Sequence, residues 1–185
     1  MSSTKYPSFV SFVTPTKKLP FCGGTILDET TILTAAHCSL SSKNEVLYGT
    51  NKRSSKSTAK NLIGIKSVKS IGTALGSKGG LYKNDYAIVK LVQPIPLGRT
   101  AQKVELGTFQ EFNDILMKKK KCTVVGQGNT DIDGQWSDVL KEGTVGVAAH
   151  DKPPLPVRCS DFKADPKNCI LFKNTDKTMS GRGDS

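Results

Sequence analysis

An all-β fold in two units is predicted, on three observations. Short runs rich in Val, Ile, Thr and aromatic residues recur along the chain, separated by Gly, Pro, Asn, Asp and Ser. No window sustains an apolar period of 3.6 residues over three helical turns. One long stretch, Gln93 to Lys121, interrupts the series, and a new series begins after it.

The first group of runs opens with SFVSFV (Ser8 to Val13), CGGTIL (Cys22 to Leu27), TILTAA (Thr31 to Ala36) and EVLYG (Glu45 to Gly49). NLIGIKSV (Asn61 to Val68) and YAIVKLV (Tyr86 to Val92) complete it. Their β-branched content and partial alternation favour strands over helices. Two prolines then end the group. The second group holds CTVVG (Cys122 to Gly126), LKEGTVGVAA (Leu140 to Ala149) and CILF (Cys169 to Phe172). The division is 1–105 for the first unit, 106–117 for a connector and 118–185 for the second. Barrels or a sandwich fit this pattern. The second unit has too few strands to close a barrel alone, which would leave an edge exposed.

A hydrophobic share of 36% and a charged share of 23% over 185 residues place the chain among globular proteins and outside the disordered class. Lys and Arg outnumber Asp and Glu by 27 to 16, a net +11. The densest basic block, Lys118 to Lys121, reads first as a solvated flank of an apolar run. Its other reading is attraction to acidic polymers such as sulfated glycans. No aromatic residues interleave with these lysines, so no nucleic-acid partner is expected. The apolar runs are far too short to span a bilayer, so no membrane partner is expected either. The N-terminal MSSTKYPSFVSFV lacks the continuous apolar core of a secretory signal.

Five cysteines, Cys22, Cys38, Cys122, Cys159 and Cys169, include no Cys-x-x-Cys pair, which argues against a structural zinc site. Cys22/Cys38 and Cys159/Cys169 are candidate disulfides, and they point to an oxidising compartment. Cys122 is left over. An odd cysteine means a missing partner, an intermolecular bond or a free thiol.

Chemistry concentrates in FCGGTILDETTILTAAHC (Phe21 to Cys38). A lone histidine at a strand end is usually structural. His37, however, adjoins Cys38, whose bond to Cys22 would pin the turn that carries the imidazole. A general base must be held in register with its nucleophile, and a pinned histidine suits that task. This stretch, with Cys-Gly-Gly followed by Thr-Ala-Ala-His-Cys, resembles the trypsin/chymotrypsin family of serine proteases. The resemblance continues at NDYAIVKL (Asn84 to Leu91) and CTVVGQG (Cys122 to Gly128), and reaches GDS (Gly183 to Ser185). It therefore runs in the order His, Asp, Ser over nearly the whole chain.

The resemblance implies a chymotrypsin-like double β-barrel, its second barrel incomplete in this chain. It also implies a serine endopeptidase with His37, Asp85 and Ser185 as its triad. Backbone N–H groups of Gly183 and Ser185 would form the oxyanion hole. Met179, six residues before the serine, would floor the specificity pocket and favour an apolar or smaller side chain. No cofactor or metal is required. The expected partners are protein or peptide substrates, protease inhibitors, and acidic glycans at the basic surface. A monomer in the extracellular space is expected.

Departures from the family pattern lead to the expectation of a chain truncated at both ends. No Ile-Val-Gly-Gly-like start is present to supply the amine that pairs with Asp184. The partner of Cys122 would lie beyond Ser185, and Gly181 stands where the family usually has a cysteine. On this reading the polypeptide as written hydrolyses little. The alternative is a non-catalytic homologue acting as a binding or regulatory module. A third reading takes Arg182-Gly183-Asp184 as an adhesion ligand, and it leaves the histidine and Cys-Gly-Gly motifs unexplained.

Three other patterns are set aside. His150 sits in a proline-rich turn and is expected to be an exposed loop residue. Asn129 to Gly134 imitates a calcium loop, but Leu140 stands where the glutamate is needed. Gly72 to Gly80 is glycine-rich without a phosphate-loop ending, and is expected to be a flexible loop.

Overall fold

The structure, a computed structural model, describes residues 5–17, 19–52, 59–74, 82–118, 120–128, 137–148 and 171–174. Among these residues, eleven strands and one α-helix follow in order: β1 (Phe9–Val13), β2 (Pro20–Asp28), β3 (Thr31–Thr34), β4 (Glu45–Tyr48), β5 (Leu62–Ser70), β6 (Thr73–Ala74), β7 (Tyr82–Lys83), β8 (Ala87–Leu91), α1 (Phe109–Met117), β9 (Lys121–Gly126), β10 (Lys141–Ala148) and β11 (Leu171–Asn174). The described residues divide into two compact units. One is built on the chain up to Leu106 and takes in Val125–Lys141; the other combines Gly107–Val124 with Glu142–Ser180.

The first unit is a closed antiparallel barrel in the order β1-β2-β3-β8-β5-β4, with β4 returning to β1. Its core follows from strand alternation. Along β8, Ala87, Val89 and Leu91 are buried while Lys90 between them is exposed. Val10 and Phe12 of β1, Ile26 of β2, Ile32 of β3, Val46 of β4, and Ile63 and Ile65 of β5 fill the interior with them. Full burial of one such side chain contributes about 1.5–3 kcal/mol. Register shifts at Phe12/Val13, Ile26/Asp28 and Ile65/Ser67 bend the strands and let the sheet close without an edge.

Gly24 is required by close approach. A Cβ there would meet Ile32 Cγ2 and Phe12 Cε2 at 2.8 Å and the Leu33 carbonyl at 3.2 Å. At the β2–β3 turn, the Asp28 carboxylate accepts from Thr30 N–H at 2.8 Å and from the Thr30 hydroxyl at 3.1 Å. Hydrogen bonds from the Thr31 side chain and the Thr30 amide hold Asp28 below its ordinary pKa.

β1 is buried on its second face too. The Ser11 hydroxyl donates to Gln127 Oε1 at 2.9 Å, and Gln127 Nε2 donates to the Asn51 carbonyl at 3.3 Å. The same carbonyl accepts from Leu140 N–H at 2.8 Å, and Lys52 bridges Val139. Gln127, Val139 and Leu140 are thus fastened to the barrel by paired polar groups, as burial of Ser11 and Gln127 demands.

The second sheet has the order β11-β10-β9, with β10 and β11 antiparallel. Two features differ from expectation. α1 lies in the connector, where no helix is predicted from periodicity. Its start is a capping box: Glu111 N–H donates to Thr108 Oγ1 at 3.2 Å, and Thr108 N–H donates to Glu111 Oε2 at 2.7 Å. The stretch from Gly72, expected to be a loop, begins with a packed glycine and a strand, Thr73–Ala74 pairing with Tyr82–Lys83; its remainder lies outside the described residues. Asn129 to Gly134 lies outside them as well. No described helix is long and apolar enough to cross a membrane.

Gly24→Ala is expected to destabilise the barrel by about 1–3 kcal/mol through overpacking, read as a lower urea midpoint at unchanged slope. Glu111 carries a pH dependence. Its hydrogen bonds from the Thr108 N–H and hydroxyl hold its pKa below 4.5. A depressed folded-state value means the cap is at full strength above 4.5 and is lost as pH falls through the folded value. The protection factor of the Thr108 amide, its exchange rate corrected for the intrinsic dependence on pH, should therefore fall on acidification in wild type and stay level in Glu111→Gln.

Candidate active site

β3 ends at Thr34, and β8 begins at Ala87 directly opposite it in the antiparallel register. Residues just beyond Thr34 and just before Ala87 therefore emerge at the same end of the barrel. His37 and Asp85 occupy those positions. Their imidazole Nδ1 and carboxylate Oδ2 are 2.6 Å apart, and the other carboxylate oxygen accepts from His37 N–H at 2.9 Å. Asp85 thus holds both the ring and the backbone of His37.

Each turn is locally determined. Ala36–Cys38 forms one 3₁₀ turn, closed by Ser39 in the left-handed region at φ 50°. Ser39 N–H donates to the Ala36 carbonyl at 3.1 Å, and its hydroxyl donates to the His37 carbonyl at 3.3 Å. Cys38 is joined to Cys22 of β2 by a disulfide. The buried Thr34 hydroxyl adds a tie to the Gly23 carbonyl at 2.7 Å. On the other side, Asn84 takes φ 53°, a conformation that asparagine tolerates better than most side chains. Its carbonyl accepts from Tyr86 N–H at 2.7 Å, which turns the chain sharply through Asp85.

An ionised Asp85 requires the proton on Nδ1, and this makes Nε2 the basic ring nitrogen. The two side chains are 36% and 34% exposed, so a molecule in solution can reach the imidazole. Among the described residues, Cys22, His37 and Cys38 cluster closely enough to suit a metal. Their sulfurs are joined in the disulfide, so neither is a thiolate ligand.

The structure thus brings together His37 and Asp85 of the predicted site residues. Ser185, Gly183, Asp184, Met179, Gly181, Arg182, His150, Cys159 and Cys169 lie outside the described residues. Among the described residues, Cys122 has no disulfide partner. One neighbour missed by sequence reasoning is Gly72, which packs between the two turns. Its only sequence signal is its place in a glycine-rich stretch, which says nothing about long-range packing.

The barrel and the histidine–carboxylate pair define a chymotrypsin-like fold, and the family profile described as Trypsin matches residues 2–178. The chain belongs to the trypsin family. It is similar to trypsin zeta of Drosophila melanogaster, 33% identical over 135 residues, covering 70% of this chain and 45% of the relative. Trypsin zeta of Drosophila erecta is 32% identical, with 70% and 44% covered. The matches span less than half the length of these relatives. Among solved structures, a scabies mite inactivated protease paralogue, S-D1, superposes with a TM-score of 0.73 at 23% identity, covering all of this chain and 76% of that one. Mouse neuropsin, described as a serine protease, gives 0.73 at 18%, with all of this chain and 77% of its own covered. At these identities the structures support the fold.

The double substitution Cys22→Ser/Cys38→Ser is expected to cost about 3 kcal/mol, from loss of a cross-link between residues separated by 16 positions. Thermal unfolding of the oxidised wild type against the double variant checks this.

Proposed function

We propose that the protein is a serine endopeptidase in which His37 is the general base and Asp85 its orienting carboxylate, with Ser185 as nucleophile. The observation that carries this reading is the two-point grip of Asp85 on His37, at 2.6 Å to Nδ1 and 2.9 Å to the backbone amide. That grip selects the tautomer in which Nε2 is the basic ring nitrogen.

The steps are those general to this family. His37 Nε2 takes the proton from Ser185 Oγ as the oxygen attacks the peptide carbonyl. The tetrahedral oxyanion is stabilised by N–H groups of Gly183 and Ser185, about 2.7–4 kcal/mol for one such donor. The imidazolium, stabilised by Asp85, then protonates the leaving amine. Water, activated by the same nitrogen, releases the acyl group. Met179 at the pocket floor would favour apolar or smaller side chains over Lys or Arg. The domain division of 1–105 and 118–185, joined by 106–117, goes with this proposal. A disulfide and trypsin-family relatives favour an extracellular setting. Protein substrates and inhibitors are the partners this implies, with acidic glycans at the lysine-rich surface.

The inactivated protease paralogue among the structural neighbours illustrates that this fold does not by itself imply catalysis. A retained His37–Asp85 pair favours the enzyme over a non-catalytic homologue. A fluorophosphonate probe should label the chain at Ser185. Ser185→Ala should abolish both labelling and peptide hydrolysis without lowering the unfolding temperature. Hydrolysis that survives in that variant would sink the assignment of the nucleophile, and a wild type inert to the probe would favour the non-catalytic homologue.

A further inference from the structure

Three backbone segments meet beside the histidine–carboxylate pair, and the smallest residue in the contact is Gly72. A Cβ on Gly72 would lie 2.5 Å from Ala36 Cβ, 3.0 Å from the Asn84 carbonyl oxygen and 3.4 Å from Asp85 Cα. Ala36 immediately precedes His37, and Asn84 immediately precedes Asp85. We infer that Gly72 is a positioning residue for the pair: its missing side chain is what lets the His37 turn and the Asp85 turn approach to hydrogen-bonding distance. This rests on the proposed catalytic role of that pair, and it concerns a residue that touches neither substrate nor the reacting atoms.

The requirement is steric. Gly72 does not adopt the left-handed backbone that favours glycine elsewhere, as Gly49 does at φ 65°. An alanine at 72 would fit the backbone dihedrals and fail on space alone.

Residue 72 also has little freedom to retreat. Its N–H donates to the Tyr86 carbonyl at 3.3 Å, and the N–H of Ile71 donates to the same carbonyl at 3.0 Å. Tyr86 adjoins Asp85, so residue 72 is tied to the Asp85 turn. The contact that must yield is therefore the one to Ala36. The turn it belongs to has space beside it: Ala36 lines a hollow of about 210 Å³ with Ala35, Ser39, Leu40, Val68 and Ser70. A methyl group on residue 72 is thus expected to push the His37 turn away from Asp85 and leave the barrel formed. Gly64 of β5, the strand that leads to residue 72, is the natural control. A Cβ there would meet Val92 side-chain atoms at 3.4 and 3.8 Å, an ordinary contact.

The test reads the His37–Asp85 hydrogen bond directly. The proton in a short Nδ1–H···Oδ2 bond resonates far downfield in the proton NMR spectrum, and His37→Gln assigns it. Wild type and Gly64→Ala should both show it. Gly72→Ala should lose it while keeping dispersed amide signals from the barrel, and Gly72→Ala/Ala36→Gly should regain it because the 2.5 Å contact is gone. Fluorophosphonate labelling on the same proteins should fall at least tenfold in Gly72→Ala and return in the double variant. A resonance unshifted in Gly72→Ala overturns the proposal, as does failure of the double variant to restore it. If Gly72→Ala does not fold but the double variant folds with the resonance, the Ala36 contact is upheld. If neither folds, Gly72 serves general packing and the proposal is overturned. A wild type that shows the resonance but never labels would favour the non-catalytic homologue while the resonance still decides the role of Gly72.

Discussion

The antiparallel pairing of β3 with β8 is the constraint on which the site depends. Thr34 opposite Ala87 brings the exit of one strand and the entry of the other to the same end of the barrel. His37 and Asp85 are separated by 48 residues in the chain, yet each needs only a short turn to reach the other. Closure of the six strands makes that register stable, because a one-residue slip would turn Ile32 and Val89 out of the core. The apolar interior and the polar pair are thus consequences of one alignment.

Much of this was legible in the sequence, for identifiable reasons. Strands β1 to β5 and β8 announce themselves by β-branched residues between turn formers, and their observed limits fall within about two residues of those predicted, an ordinary scatter at element ends. The histidine and the aspartate stand out because each sits in a distinctive local motif. The helix does not, since nine residues are too few to establish a period. What marks it is Thr108 followed three positions later by Glu111, a short-range signal of a helix start. The short pair β6 and β7 escaped for a related reason: two residues each carry no alternation.

Gly72 illustrates a different limit. Its neighbours Ala36 and Asn84 are remote in sequence, and the close approach exists only once the barrel has closed. Nothing in the surrounding glycines distinguishes it from a loop residue. Gly24 differs in this respect, because it lies within the Cys-Gly-Gly motif and is visible before any packing is known. Sequence patterns reveal requirements set by near neighbours far better than those set by distant ones.

The link between Ser11 and Gln127 has a consequence for how this surface can change over evolutionary time. The amide of Gln127 is used at both ends, its oxygen accepting from Ser11 and its nitrogen donating to Asn51. Its orientation is therefore fixed, and neither half can be exchanged alone. Glutamate keeps the shape but loses the donor. An alanine at position 11 would leave the Gln127 oxygen buried without that hydroxyl. Loss at either position leaves a buried polar group short of a partner, so a change at one is expected to be tolerated best when the other changes with it.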